Sequence, residues 1–140
     1  MSLMAGVLAA ALLAPAPIAA EYVALGDSYA SGAGAGSYSG GSCRRSSNAY
    51  PALRSKDFPS FKFVACSGAT TKSLKSQFKA LTPATSFVTI TVGGNDLGFV
   101  DVMTTCTLYG DKSCEKRVGK ARAFARDQLE EEATTRHAAL

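Results

Sequence analysis

Tyr22-Val23-Ala24-Leu25-Gly26-Asp27-Ser28 decides the fold: a short apolar run closed by a glycine, an acid and a serine. Four apolar residues bounded by turn formers predict a strand over 22–25. The small residues Ala30, Ser31 and Gly32 follow directly. Such an order of residues sets a hydroxyl at the carboxyl end of a strand, which is where open parallel sheets hold their ligands. Gly26 lets the backbone turn sharply. Ser28 then begins the next element, where unpaired backbone N–H groups can steady a negative oxygen. Taken alone, Gly-Asp-Ser is also a common turn, so its meaning depends on what accompanies it.

Two later stretches repeat the pattern. Phe61-Lys62-Phe63 runs into Val64-Ala65-Cys66-Ser67-Gly68-Ala69-Thr70 and predicts a second strand over 61–66. Beyond it Leu74, Phe78 and Leu81 keep helical spacing, Thr70 or Thr71 can cap that helix, and Thr82-Pro83 ends it. Gly68 thus lies between a strand and a helix, where a residue without a side chain can bring its N–H close to a substrate oxygen. The third stretch, Phe87-Val88-Thr89-Ile90-Thr91-Val92, is the clearest strand and leads into Gly93-Gly94-Asn95-Asp96. Asn95 supplies a neutral amide donor suited to an oxyanion that forms only in a transition state. Each piece alone is a tight turn. Three strand ends that finish in a nucleophile, a bare N–H and an amide donor form a set.

From about residue 22 to about residue 129 these features resemble the SGNH, or GDSL, hydrolase family, and most closely its secreted bacterial esterase and lipase branch. The resemblance implies an α/β fold, a three-layer α/β/α sandwich with a parallel flavodoxin-like sheet. It implies Ser28 as nucleophile, with the N–H groups of Ser28 and Gly68 and the side chain of Asn95 as oxyanion hole. Asp27 and Asp96 become supports, the substrate an ester or lipid, and no cofactor is expected. Four cysteines allow three pairings, among which the sequence does not choose. The resemblance implies Cys43–Cys66 and Cys106–Cys114.

One family element has no counterpart. The family carries an Asp-x-x-His near the end of a longer chain, whereas the single histidine here, His137, has Thr134 three residues before it and sits in a polar stretch that extends a helix. It reads as a solvated histidine. The expectation is therefore a truncated chain whose sheet is incomplete after the third strand, leaving Phe87, Val88, Ile90 and Val92 on an open edge that favours association. Loss of the base costs on the order of a millionfold in turnover, so the chain as given is expected to be nearly inactive. The alternative is a non-catalytic ligand-binding protein, or pseudoenzyme, derived from the same fold.

The remainder of the 140 residues narrows the setting. Residues 1–20 read as a signal peptide, apolar over 3–14 with small residues toward Ala20, though without the usual basic start. Pro15 and Pro17 interrupt that segment before it reaches the roughly 20 apolar residues of a spanning helix, so no stable membrane insertion is expected. Residues 21–140 then form one partial hydrolase domain in a secreted, disulfide-containing protein. One histidine and no Cys-x-x-Cys pair argue against a zinc site, and no metal is expected. The net charge of +4 is spread over loops and the last helix, with Arg44-Arg45 the tight basic pair before it, which argues against nucleic acid as a partner. That helix, over 111–129, places Val118, Ala121 and Ala125 on one face. The glycine-rich segment 31–42 lacks a following Gly-Lys-Ser or Gly-Lys-Thr and reads as a mobile surface connection, with Tyr38 on the rim of a cleft.

Overall fold

The computed structural model describes residues 20–39 and 41–138, with side chains as far as Gln128. The leader expected over 1–20 falls, but for Ala20, outside the described residues. The first strand, β1 (Glu21–Gly26), is the middle of a three-stranded parallel sheet. On one side it pairs with β2 (Ser60–Phe63), Tyr22 opposite Phe61, and on the other with β3 (Thr85–Thr91), Tyr22 opposite Phe87. The order β2-β1-β3 is the flavodoxin-like one. Between and after the strands lie α1 (Ser28–Ser31), α2 (Tyr50–Arg54), α3 (Thr71–Gln77), α4 (Phe99–Leu108) and α5 (Asp111–Ala138).

A parallel strand covered on both faces needs an unbroken apolar run. β1 supplies one: all six of its residues are buried, and Tyr22 to Leu25 have no exposed surface at all. On one face Val23 and Leu25 pack with Leu74 of α3, joined by Val64 and Ala80. On the other the Tyr22 ring lies 5.1 Å from Phe58 and 5.2 Å from Phe87, and its hydroxyl shares a 2.7 Å hydrogen bond with Thr89.

Three sequence expectations are corrected. The second strand ends at Phe63 and not at Cys66, because the N–H groups of Val64 and Ala65 both donate to the Ala24 carbonyl, at 3.0 and 3.1 Å. One acceptor serving two successive donors breaks the pleat. Helix α3 begins at Thr71 under a Thr70–Ser73 capping box, then tightens at Phe78–Ala80 into a 3-10 turn. Three residues per turn in place of 3.6 swings the chain off its apolar stripe, so Phe78 and Leu81 are exposed and Gln77 is buried beside Leu74.

The third correction concerns the glycine-rich segment, which is fastened chiefly to the residues that follow it. The N–H of Ser46 donates to Ser31 O at 2.8 Å, that of Ser47 to Ser37 O at 3.0 Å, and Asn48 Nδ2 to Ala35 O at 2.9 Å. Ser46 Oγ donates to Gly36 O, the N–H of Gly34 donates to Tyr38 Oη, and a Cys43–Cys66 disulfide anchors the far end. The other disulfide, Cys106–Cys114, joins α4 to α5. Helix α5 carries Val118, Ala121 and Ala125 half-buried along one side. Among the described residues β3 has β1 as its one neighbour, and Phe87, Val88, Ile90 and Val92 are exposed.

Glu21 is a buried acid at the start of β1. Its Oε2 lies 2.9 Å from Lys62 Nζ, and its Oε1 accepts the hydroxyls of Thr85 and Thr82 at 2.9 and 3.0 Å. The Lys62 ammonium, followed by the Thr85 hydroxyl, holds the carboxyl below its ordinary value of 4.5. A folded-state pKa below the unfolded one stabilises at higher pH, and that contribution is lost as pH falls from about 4.5 through the lower folded value. Melting temperature is expected to drop between about pH 6 and about pH 3, and to drop less steeply in Glu21→Gln. Identical slopes for the two proteins would remove Glu21 from acid unfolding.

Candidate active site

Because the three strands are parallel, the loops after them leave the same edge of the sheet. The first loop is a single buried residue, Asp27, between β1 and α1. Asp27 caps α1: its Oδ1 accepts the Tyr29 N–H at 3.0 Å and the Thr91 hydroxyl at 2.9 Å. Thr91 Oγ1 in turn accepts the Ala30 N–H at 3.1 Å, and the Asp27 N–H donates to Thr91 O at 2.8 Å. The turn that carries Ser28 is therefore clipped to the last residue of β3. Helix α1 is one turn long and stops at Gly32, whose φ of +81° suits a residue without a side chain.

Ser28 is half-buried, and its hydroxyl has no hydrogen-bond partner among the described residues. It lines an open hollow of about 380 Å³ with Tyr29, Gly32, Ala33 and Phe99. The Tyr29 and Phe99 rings meet edge to face at 6.2 Å across it.

The second loop leans on the first. Cys66 donates its N–H to Gly26 O at 2.9 Å, Ser67 to Cys43 O at 3.0 Å and Ala69 back to Cys66 O at 3.0 Å, so Gly68 stands at the crest of a tight turn with φ +85°. A side chain there would project into open space. The backbone N–H groups of Gly68 and of Ser28 donate to nothing among the described residues.

The third loop closes on the second. Asn95 Nδ2 donates to Ala69 O at 2.7 Å, next to Gly68, and leaves the other amide N–H of Asn95 for a ligand. Asp96 takes the Thr71 N–H at 3.1 Å and the Thr71 hydroxyl at 2.7 Å, pinning the start of α3. Gly94 also approaches Asp27: a Cβ placed on it would lie 4.0 Å from Asp27 Oδ2. Each loop is thus bonded or packed to both others. Ser28 and Asn95 nevertheless line separate hollows, that of Asn95 also measuring about 380 Å³ and shared with Arg117 and Phe124. His137 falls in the last turns of α5, where side chains are outside the described residues, so the described side chains include no histidine.

Two residues that bond to the turn around Ser28 are not marked as such by the sequence pattern. Thr91 reads simply as part of a strand, although a hydroxyl one residue short of the Gly-Gly turn is a signal for a local bond to that turn. Gln77 lay hidden between the apolar positions Leu74 and Phe78; its Oε1 accepts the Gly26 N–H at 2.8 Å and its Nε2 donates to Gly26 O at 3.0 Å. Following Lys75 and Ser76, it carries no mark of its own in the sequence beyond its spacing of three from Leu74.

In chemical terms, a hydroxyl and two backbone N–H groups without partners among the described residues, and an amide with one N–H engaged, sit on three mutually braced loops. Such donors suit a negative oxygen formed during acyl transfer. Comparison with known proteins points the same way. The family model for GDSL-like lipases and acylhydrolases matches residues 24–134. A lipase of Streptomyces rimosus is 52% identical over 125 residues, covering 86% of this chain and 47% of that protein. Lipase 1 of Streptomyces coelicolor is 50% identical over 127 residues, with the same coverage of 86% and 47%. The crystal structure of an extracellular lipase from Streptomyces rimosus superposes with a TM-score of 0.75 at 48% identity, covering 86% of this chain and 54% of that one. That of phospholipase A1 from Streptomyces albidoflavus NA297 gives 0.74 at 54% identity, covering 77% and 48%. The chain spans about half the length of the curated relatives it matches.

Proposed function

Since the chain belongs to the GDSL-like lipase/acylhydrolase family, we propose that it is a secreted serine ester hydrolase with Ser28 as nucleophile, acting on an ester or lipid. Ser28 Oγ attacks the ester carbonyl carbon while its proton passes to a general base supplied from outside the described side chains. The carbonyl oxygen gains the negative charge and is held by the N–H groups of Ser28 and Gly68 and by Asn95 Nδ2. As the carbonyl re-forms, the alcohol leaves with the proton and the acyl group stays on Ser28. Water, giving a proton to the base, attacks the acyl-enzyme, releases the acid and restores the serine.

One observation carries this reading: the Ser28 hydroxyl, without a partner among the described residues, follows a buried, hydrogen-bonded Asp27 on a turn braced against both the Gly68 and the Asn95 loops. The names of the relatives, lipase and phospholipase A1, support a lipid ester as substrate class. Two disulfides and the extracellular lipase among the structural neighbours support secretion, with residues 1–20 as the leader and the domain beginning at Glu21. No helix among the described residues is long and apolar enough to cross a membrane.

The test is to treat the protein, expressed from its complete reading frame, with a fluorophosphonate and to locate the adduct by peptide mass spectrometry. A single adduct on Ser28 is expected. No adduct, or one on another residue alone, overturns the proposal; ligand binding that persists without any adduct would turn the assignment to a binding protein.

A further inference from the structure

Resting on that reading, we infer that Gln77 fixes the position of the Ser28 turn and so governs how fast Ser28 reacts. Its carboxamide grips both polar groups of one peptide residue, accepting the Gly26 N–H at 2.8 Å and donating to Gly26 O at 3.0 Å. Both bonds are buried, and they join residues 51 positions apart. Gly26 lies two residues before Ser28, at the point where β1 ends and the backbone leaves the sheet with φ +130°. Any shift of Gly26 is carried directly into the serine.

The other end of the same helix explains why this grip matters for chemistry. Helix α3 starts at Thr71, which Asp96 holds by both its N–H and its hydroxyl, and Asp96 is the neighbour of Asn95. Seven residues of α-helix make a stiff strut of about 10 Å. With Gln77 clamped behind the nucleophile and Thr71 clamped behind the amide donor, the strut sets the spacing between the attacking oxygen and the group that receives the oxyanion. A misplacement of about 1 Å at such a centre costs about a hundredfold in rate.

Gln77→Met keeps the length and bulk of the side chain but forms neither bond. The limiting rate of Ser28 phosphonylation is expected to fall about tenfold to a hundredfold, with no change in the probe concentration that gives half that rate. Gln77→Glu keeps the acceptor, but its carboxylate faces Gly26 O and has nothing to donate until it is protonated. Its rate relative to the parent should climb toward one as pH falls through the titration of a buried carboxyl, whereas the Gln77→Met ratio stays flat. Charged groups around that position are Lys79, which lines one surface hollow together with Gln77, and Asp27, next to Gly26; both are present in every protein compared. Ser76→Ala, on the exposed side of α3, is the control and should react like the parent.

Parent-like labelling by Gln77→Met would overturn the inference and leave the hydrolase reading intact. A parent that forms no Ser28 adduct overturns the hydrolase reading instead. Amide hydrogen exchange then decides the role of Gln77: faster exchange at Tyr29, Ala30 and Ser31 in Gln77→Met, with Val23 unchanged, supports it, and equal exchange refutes it. If Gln77→Met does not fold, the pH profile of Gln77→Glu, or its exchange at low and high pH, carries the decision.

Discussion

In the protein expressed from its complete reading frame, Ser28→Ala is expected to abolish covalent labelling and to lower turnover on the order of a millionfold, yet to melt almost where the parent does. The two halves of that expectation have separate causes. The Ser28 hydroxyl has no partner among the described residues, so its removal leaves no buried donor or acceptor unsatisfied. Ser28 is also the first residue of α1, and alanine is the best helix former, so the backbone loses nothing by the exchange. A stability change within about 0.5 kcal/mol is therefore expected. Melting curves and ester turnover measured on the same preparations separate the outcomes. Turnover that survives would strip Ser28 of its role as nucleophile. A large fall in melting temperature would give it a structural role.

Gly26→Ala should have the opposite signature, a protein that loses its fold before any question of chemistry arises. A Cβ at Gly26 would lie 2.8 Å from Thr91 N, 2.9 Å from Thr91 Oγ1 and closer still to the Thr91 carbonyl oxygen. The φ of +130° adds strain that a side chain seldom tolerates. β1 and β3 would have to part at their ends, breaking the Asp27 and Ala30 bonds to Thr91 and pulling Gly26 from Gln77. The cost is expected to be roughly 3 kcal/mol or more in urea unfolding. Gly68→Ala is the comparison, since its added carbon meets open space and only the positive φ is penalised, by about 1 kcal/mol. Equal stability of the two variants would show that β1 and β3 part at Gly26 without cost, and would remove the close approach to Thr91 as the reason for a glycine there.

The strands, though not every one of their ends, could be read from the residues alone because burial on two faces leaves a plain mark. Tyr22 to Leu25 are apolar without interruption, and a glycine closes β1 and comes soon after the second strand segment and β3, where the backbone must turn away. That Ser28, Gly68 and Asn95 lie on neighbouring loops was legible for the same reason, each loop following a strand. The groups that hold them were not. Gln77 turns inward to answer the Gly26 peptide groups, a demand that belongs to tertiary structure and has no period in the sequence. The residues that fasten segment 31–42 are Ser46, Ser47 and Asn48, which lie after it, so its glycines suggested freedom where the chain has bonds. Val64, Ala65 and Cys66 have strand-like composition, and only the shared Ala24 carbonyl shows that the ladder stops before them.

The place of β1 in the sheet has a consequence for how the molecule comes into being. Its partners are Ser60–Phe63 and Thr85–Thr91, so the first strand to emerge from the ribosome is the last to have both neighbours. Until β3 is made, Asp27 has no Thr91 to grip and Asn95 does not yet exist. Topology of this kind slows assembly. It also means that the turn carrying Ser28 has nothing to fasten it to the sheet's far strand until translation has passed Thr91.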